Sequence, residues 1–304
     1  MTGSARRRGG KTVSLVLGSG GARGIAHIGV IRWLQEHNYD IKSVSGCSIG
    51  ALVGGAFAAG KLDEFEEWIC AVTEREIFRL LDLSWQISGL VKGDRVIDTL
   101  KKLVGERLIE DLPIRYTAVA VDLDNEREVW IQDGSLFEAI RASVSLPLLM
   151  TPRVRNGVTL IDGGVLNPVP IAPTFGDSTD LCIAVNLGGA PIDTPEHHAP
   201  PEERKPSSGL REKIDEFIDK LWPGDGDDEK DWGPFEIANQ AFDAMQSTIS
   251  RQKLAVYPPD VLIEIPRNAC RSLEFHRADE MIALGRERAR DVLGERPGVL
   301  SRGK

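Results

Sequence analysis

Twice within the first sixty residues, an apolar run breaks into a glycine-rich turn and then into a stretch with helical spacing. In the first unit, Thr12–Leu17 is apolar and β-branched and runs into Gly18-Ser19-Gly20-Gly21-Ala22-Arg23-Gly24. Residues Ile25 to His37 follow, with Ile28, Ile31 and Leu34 on one helical side. In the second, Ile41 to Val44 leads into Gly46-x-Ser48-x-Gly50, and the small residues Ala51 to Ala59 lead out. Parallel strands need a crossover, and the crossover helix covers a sheet face. Two strand-to-helix units in succession therefore predict an α/β fold: a parallel sheet with helices on its faces.

The second unit has the layout of a nucleophile elbow, with Ser48 at the tip of a strained strand-to-helix turn. Gly46 and Gly50 suit such a turn, because any side chain there meets the neighbouring strand or helix. The helix start behind Ser48 favours a developing oxyanion. By itself the pattern also fits a tight turn without chemistry.

The glycine loop of the first unit is a poor nucleotide cradle. A dinucleotide fingerprint needs glycine at its sixth position, where this loop has Arg23, with Gly24 one place later. A P-loop would end in Gly-Lys-Ser/Thr, which is missing. Successive backbone N–H groups of Gly20, Gly21 and Ala22 at a helix mouth can instead converge on one oxygen. Arg23 beside them offers fixed positive charge for an acyl oxyanion or a phosphate. A glycine-rich turn without a ligand is the plainer alternative.

Further along, Leu62 to Asp82 holds two helical stretches and Asp94 to Val104 a third. Arg115 to Val121 and Glu128 to Ile131 read as strands joined by a polar turn, and Leu136 to Ala142 as a helix. Thr159 to Ile161 is apolar and ends in Asp162-Gly163-Gly164. An aspartate there sits at a strand end, where α/β active sites form, although an Asp-Gly turn is common without function. Leu181 to Leu187 and Val261 to Ile265 read as strands, and Phe235 to Tyr257 and Ala278 to Leu293 as helices. Residues 188–234 are rich in proline and acidic residues and read as a flexible insertion. Within it, Leu210, Ile214, Phe217, Ile218, Leu221 and Trp222 share one helical face, suiting a lid, a lipid-facing helix or an ordinary surface helix.

The expected organisation is a disordered basic leader over residues 1–11 and a single domain over 12–304 that carries this insertion. Net charge is −9, which argues against nucleic acid as a partner. Cys47, Cys70, Cys182 and Cys270 lie far apart without a CxxC pair, which argues against a zinc site or disulfide framework and for a reducing compartment. Each reads as a small buried residue, with Cys47 the one open to access. No run approaches membrane-spanning length. A cytoplasmic location is expected, with Arg6-Arg7-Arg8 offering charge for transient contact at the inner face of a membrane. No cofactor and no metal is expected, Asp122 and Asp124 reading as a solvated turn.

Taken together, Gly18-x-Gly20-x-x-Arg23-Gly24, Gly46-x-Ser48-x-Gly50 and Asp162-Gly163-Gly164 resemble the patatin-like phospholipase family. Ala139-Ile140-Arg141-Ala142-Ser143, leading to Pro147, and Asn167-Pro168-Val169-Pro170 look like its flanks. The stretch Phe275 to Gly285 resembles the bacterial, neuropathy-target-esterase-like branch. The resemblance covers roughly residues 12 to 290, and one departure is Leu148 where the family often has glycine after Pro147. It implies a three-layer α/β/α fold with a mainly parallel central sheet. It also implies a serine–aspartate dyad with Ser48 as nucleophile and Asp162 as base. Gly20, Gly21 and Ala22 would form the oxyanion hole with Arg23 beside it, and the substrate would be a lipid or other fatty-acyl ester.

A histidine triad is the internal rival. Chain order suits His276, yet Glu274 to Arg277 is charged and lacks active-site glycines. His27 reads as structural, and His37, His197 and His198 complete the set of five. A lipid-binding or regulatory protein without turnover, on the same fold, is the alternative to an enzyme. The oligomeric state stays open.

Overall fold

The computed structural model describes residues 10–73, 76, 94–147, 149–192 and 234–294. The leader up to residue 9, the second helical stretch toward Asp82, Leu148, most of the insertion with its 210–222 helix, and His197 and His198 lie outside the described residues. The chain divides into two compact units, Met1–Pro191 with Phe242–Lys304, and Ile192–Ala241. Of the second unit, Ile192 and residues 234–241, the opening turns of a helix, are described.

The strands are β1 (Thr12–Leu17), β2 (Asp40–Cys47), β3 (Arg115–Asp122), β4 (Arg127–Ile131), β5 (Arg153–Arg155), β6 (Val158–Asp162), β7 (Leu181–Gly189) and β8 (Val261–Pro266). The α-helices are α1 (Ala26–Glu36), α2 (Ile49–Ala58), α3 (Leu62–Ala71), α4 (Asp94–Val104), α5 (Leu136–Ser143), α6 (Pro234–Val256) and α7 (Ala278–Gly294). β1 sits in the middle of the sheet, parallel to β2 on one side and to β7 on the other. β3 continues parallel beside β2, and β8 beside β7. Antiparallel strands gather at the far side, where β4 and β6 pair with β3 and β5 pairs with β6.

The mostly apolar run of β1, interrupted by the buried Ser14, has a direct cause in its two covered faces. Val13, Leu15 and Leu17 point into the main core with α1, α2 and α7, while Val16 points to a second cluster with Val169, Ile171 and Ala184. Leu254 of α6 packs on that second cluster. Helices cover both faces, which makes the molecule a three-layer α/β/α fold of mainly parallel strands.

One topological detail positions the site. β4 pairs along Ala118 to Asp122 of β3. β2 pairs with β3 as far as Val119, and β6 pairs with it from Ala120 onward. A strand has two hydrogen-bonding edges, and β4 occupies one. β2 and β6 therefore share the other edge and meet head-on, Cys47 opposite Val119 and Asp162 opposite Ala120. Ser48 follows β2 and Asp162 ends β6 at that junction.

Several details depart from the sequence reading. β5 has no counterpart in it, because three residues carry no readable period. β7 runs through Gly189 with a register shift after Asn186, so the boundary at 188 falls inside a strand. Asp122 is buried and organises its turn, accepting from the Asn125 amide and from Arg127, instead of being solvated. Cys47 and Cys270 are buried, but Cys70 is exposed.

α1 and α7 cross where each has a glycine. A Cβ on Gly285 would overlap the Ala26 carbonyl oxygen, and one on Gly29 the Ile282 carbonyl oxygen. Backbone atoms at a helix crossing cannot swing aside, so overpacking there separates the helices. We expect Gly285→Ala to lower stability by about 1–3 kcal/mol in urea denaturation. The reactivity of Ser48 in the surviving folded fraction should be unchanged.

Candidate active site

Ser48 follows β2 directly and forms the N-cap of α2 with φ 54° and ψ −126°. A non-glycine residue there is strained, and surrounding contacts must hold it. The neighbouring elements do so. The Ser48 N–H donates to Ser143 Oγ at 3.0 Å, and Ser143 Oγ donates to the Val119 carbonyl at 2.6 Å. A Cβ on Gly46 would lie 2.5 Å from the Gly50 carbonyl carbon, and one on Gly50 would overlap the Leu17 carbonyl oxygen. The elbow is thus clamped between its own helix and the end of β1. Ser48 itself is half-buried.

Asp162 closes β6 and is fully buried. Its Oδ1 accepts the Gly164 N–H at 2.7 Å. Its Oδ2 has no well-formed hydrogen bond among the described residues. Burial pushes its pKa up to about 6; the nearby Ser48 hydroxyl and the Gly164 amide pull the other way without winning. Gly163 is pressed against its surroundings, since a Cβ there would overlap the Val119 carbonyl oxygen and reach Cys47 Cβ at 3.0 Å. Cys47 offers no competing nucleophile. Its thiol is buried, reaches the Pro168 carbonyl at 3.3 Å and is held protonated chiefly by burial, so the expected access to it is absent.

The glycine loop joins β1 to a short 3-10 turn, Gly21–Ile25, ahead of α1. Gly18 N–H donates to the Val185 carbonyl at 3.0 Å, and Ser19 N–H to the Pro168 carbonyl at 2.8 Å. Gly21 has φ 59°, a left-handed conformation that glycine adopts without strain. The amides of Gly20 and Gly21 carry no hydrogen bond among the described residues. The Ala22 N–H, expected beside them, is instead spent on the Ser272 carbonyl at 2.9 Å. Arg23 is also engaged elsewhere: its Nη1 donates to the Arg267 carbonyl at 2.9 Å and its Nη2 meets Asp243 at 3.3 Å. The side chain braces the loop from behind. Gly24 interlocks the two motifs, because a Cβ there would overlap the Ile49 side chain.

α6 lays a polar face on this assembly. Asp243 holds Arg23, Gln246 Nε2 donates to Ser19 Oγ at 3.1 Å, and Lys253 meets Glu128 at 2.6 Å. Glu128 also accepts from Asn167 Nδ2 at 2.9 Å, and the Asn167 N–H donates to the Gly163 carbonyl at 2.9 Å. The helix is legible in the sequence, but Gln246 and Glu128 carry no signal there, and Ser143 stands only as the end of the Ala139–Ser143 flank, without a role. Helical periodicity reports apolar faces and is silent on a polar face turned inward.

The histidines among the described residues are occupied otherwise. His27 is fully buried beside the loop, its Nε2 2.9 Å from the Gly18 carbonyl, and burial lowers its pKa to about 4. It is a neutral structural donor. His37 stacks on Trp33 with ring centroids 3.8 Å apart. His276 is exposed on a 3-10 turn ahead of α7. No helix among the described residues is long and apolar enough to cross a membrane.

An elbow serine, a buried carboxylate and a glycine loop thus gather at strand ends of a three-layer α/β/α fold. Residues 15–175 match the model of patatin-like phospholipases, and the chain belongs to that family, one of lipid ester hydrolases. An uncharacterized NTE family protein of Mycobacterium tuberculosis is 42% identical over 328 aligned residues, covering 92% of this chain and 91% of the relative. A second one from that organism is 32% identical, covering 97% of this chain and 49% of the relative. Lysophospholipase NTE1 of Saccharomyces cerevisiae is 32% identical over 63% of this chain, which corresponds to 12% of that longer protein.

Proposed function

We propose that this protein is a serine acyl hydrolase that cleaves carboxylic ester bonds of lysophospholipids, phospholipids or related fatty-acyl esters. The carrying observation is a strained, half-buried serine beside a buried carboxylate whose pKa is raised to about 6 and whose Oδ2 has no well-formed hydrogen bond among the described residues. A serine hydroxyl is a weak nucleophile until a base takes its proton. A carboxylate with a pKa nearer neutrality is a stronger base than an ordinary aspartate and is still ionised at pH 7.

In the acylation half, Ser48 Oγ attacks the ester carbonyl carbon and its proton passes to Asp162 Oδ2. The carbonyl electron pair moves onto oxygen, where the Gly20 and Gly21 amides receive it. The tetrahedral intermediate collapses by breaking the bond to the alcohol oxygen, and protonated Asp162 returns the proton to that oxygen. In the second half, water loses a proton to Asp162 and attacks the acyl carbonyl carbon; the bond to Ser48 Oγ then breaks, Asp162 returns the proton to that oxygen, and the fatty acid leaves. The lysophospholipase among the relatives supports a lipid substrate, and peripheral contact with a lipid surface belongs to the same reading.

The test is Ser48→Ala. Hydrolysis of lysophosphatidylcholine and of short p-nitrophenyl esters should fall at least about a thousandfold, and labelling by a fluorophosphonate should vanish. Unchanged turnover in that variant would sink the proposal. A wild-type chain that a fluorophosphonate leaves unlabelled would point to lipid binding without catalysis.

A further inference from the structure

Gln246 is 7% exposed and sits on the inward polar face of α6. Its Nε2 donates to Ser19 Oγ at 3.1 Å. The same nitrogen, together with Ser19 Oγ and Cβ, fills the space that a Cβ on Gly164 would occupy. Ser19 directly precedes Gly20 and Gly21, and the Gly164 N–H is the donor that holds Asp162 Oδ1 at 2.7 Å. One amide group is therefore wedged between the glycine loop and the aspartate turn. We propose that Gln246 is a positioning residue that sets the spacing between the Gly20–Gly21 amides and the Asp162 carboxylate. This inference rests on the dyad reading above.

The consequence is specific. Without the wedge, the Gly164 amide shifts and its bond to Asp162 weakens. That bond lowers the aspartate's pKa, so its loss moves the pKa further up. The base must be ionised to act, so the acid side of the pH–rate profile moves to higher pH. The other titratable groups around the turn are Cys47, held protonated by burial, and Glu128. Burial opposes ionisation of Glu128, but its bonds to Lys253, Asn167 and Trp130 together prevail. Asp243, one helical turn from Gln246, is paired with Arg23. None of these is altered by the substitutions below.

Gln246→Leu keeps the volume and removes the donor; Ser19→Ala removes the acceptor and leaves the helix intact. Both should lower kcat about tenfold with KM held within about twofold, because the geometry serves the reacting groups and not substrate binding. Both should raise the acid-limb pKa of kcat/KM by about half a unit or more. The double variant should be no worse than the worse single one, as expected of two groups joined by one contact. Ser48→Ala is measured in parallel. Full activity there overturns the dyad reading and this inference with it. An inactive Ser48→Ala, beside Gln246→Leu and Ser19→Ala variants with unmoved limbs and wild-type kcat, overturns the inference alone. A fall in thermal midpoint with kcat and limb unchanged assigns Gln246 to packing and also overturns it. If Gln246→Leu does not fold, Ser19→Ala and its limb decide.

Discussion

Asp162→Asn should lower kcat/KM by about a hundred- to ten-thousandfold and erase the acid limb of its pH profile. In the wild type, ester hydrolysis should fall to half its plateau near pH 6, following the raised pKa of the free carboxylate. The asparagine can still accept the Gly164 N–H through its oxygen, so the turn survives while the base is lost. A second effect has the opposite sign. The folded protein holds the Asp162 proton up to about pH 6, whereas the unfolded chain releases it at the ordinary carboxylate value. Between those two values the folded state binds more protons, so stability falls as pH rises and stays lower above pH 6. The asparagine variant lacks that slope. It should be more stable than the wild type at pH 7.5 by about 1–3 kcal/mol, with the gap closing by pH 4. Urea denaturation at the two pH values reads this directly. An inactive variant that is also less stable at pH 7.5 would mean that Asp162 is a structural group.

Gly163→Ala is the second large effect. A Cβ there would overlap the Val119 carbonyl oxygen, sit 2.7 Å from its carbon and 3.0 Å from Cys47 Cβ. None of these is the end of a flexible side chain, so the aspartate turn must lift away. The same carbonyl accepts the Ser143 hydroxyl, which in turn holds the Ser48 N–H. One methyl group thus disturbs the supports of both Ser48 and Asp162. A displacement of about 1 Å at reacting groups can remove two orders of magnitude, and kcat should fall at least about a hundredfold. Stability should fall by about 1–3 kcal/mol from overpacking. Gly176→Ala is the control, since nothing lies within 4 Å of a Cβ there and its φ is not positive. It should match the wild type in fluorophosphonate labelling rate and thermal midpoint.

The parts of this protein that were legible in its sequence are those whose chemistry is local. The elbow and the glycine loop announce themselves because close backbone approach excludes side chains at Gly46, Gly50 and Gly24. β1 was legible because burial on both faces favours apolar and β-branched residues, with Ser14 accommodated through bonds to Asp177 and Thr179. Ser143 was not legible as a support for Ser48, since nothing near residue 143 reports a partner in another element. Gln246 was hidden for the same reason, on a helix whose inward face is polar. Ala22 and Arg23 show the converse error. Position in the loop suggested a direct part in binding an anion, but Ser272, Arg267 and Asp243 claim their groups. Those partners come from the far end of the chain and leave no trace in the loop's own spacing. The antiparallel pairing of β4 with β3 follows from the short turn between them, since a parallel pair needs a crossover. That of β6 with β3 was out of reach, because periodicity does not encode strand direction.

The head-on meeting of β2 and β6 along β3 also bears on how the chain acquires its chemistry. The turn at Ser48 is local to β2 and α2 and needs little chain closure. Bringing Asp162 to it requires closing the whole stretch between them, and ordering such a loop is slow relative to local contacts. β3 is the template on which both strands dock, so neither end can register before it. A refolding chain should therefore regain helical signal well before it regains reactivity at Ser48. Covalent labelling of that serine would serve as a clock for the final assembly of the sheet.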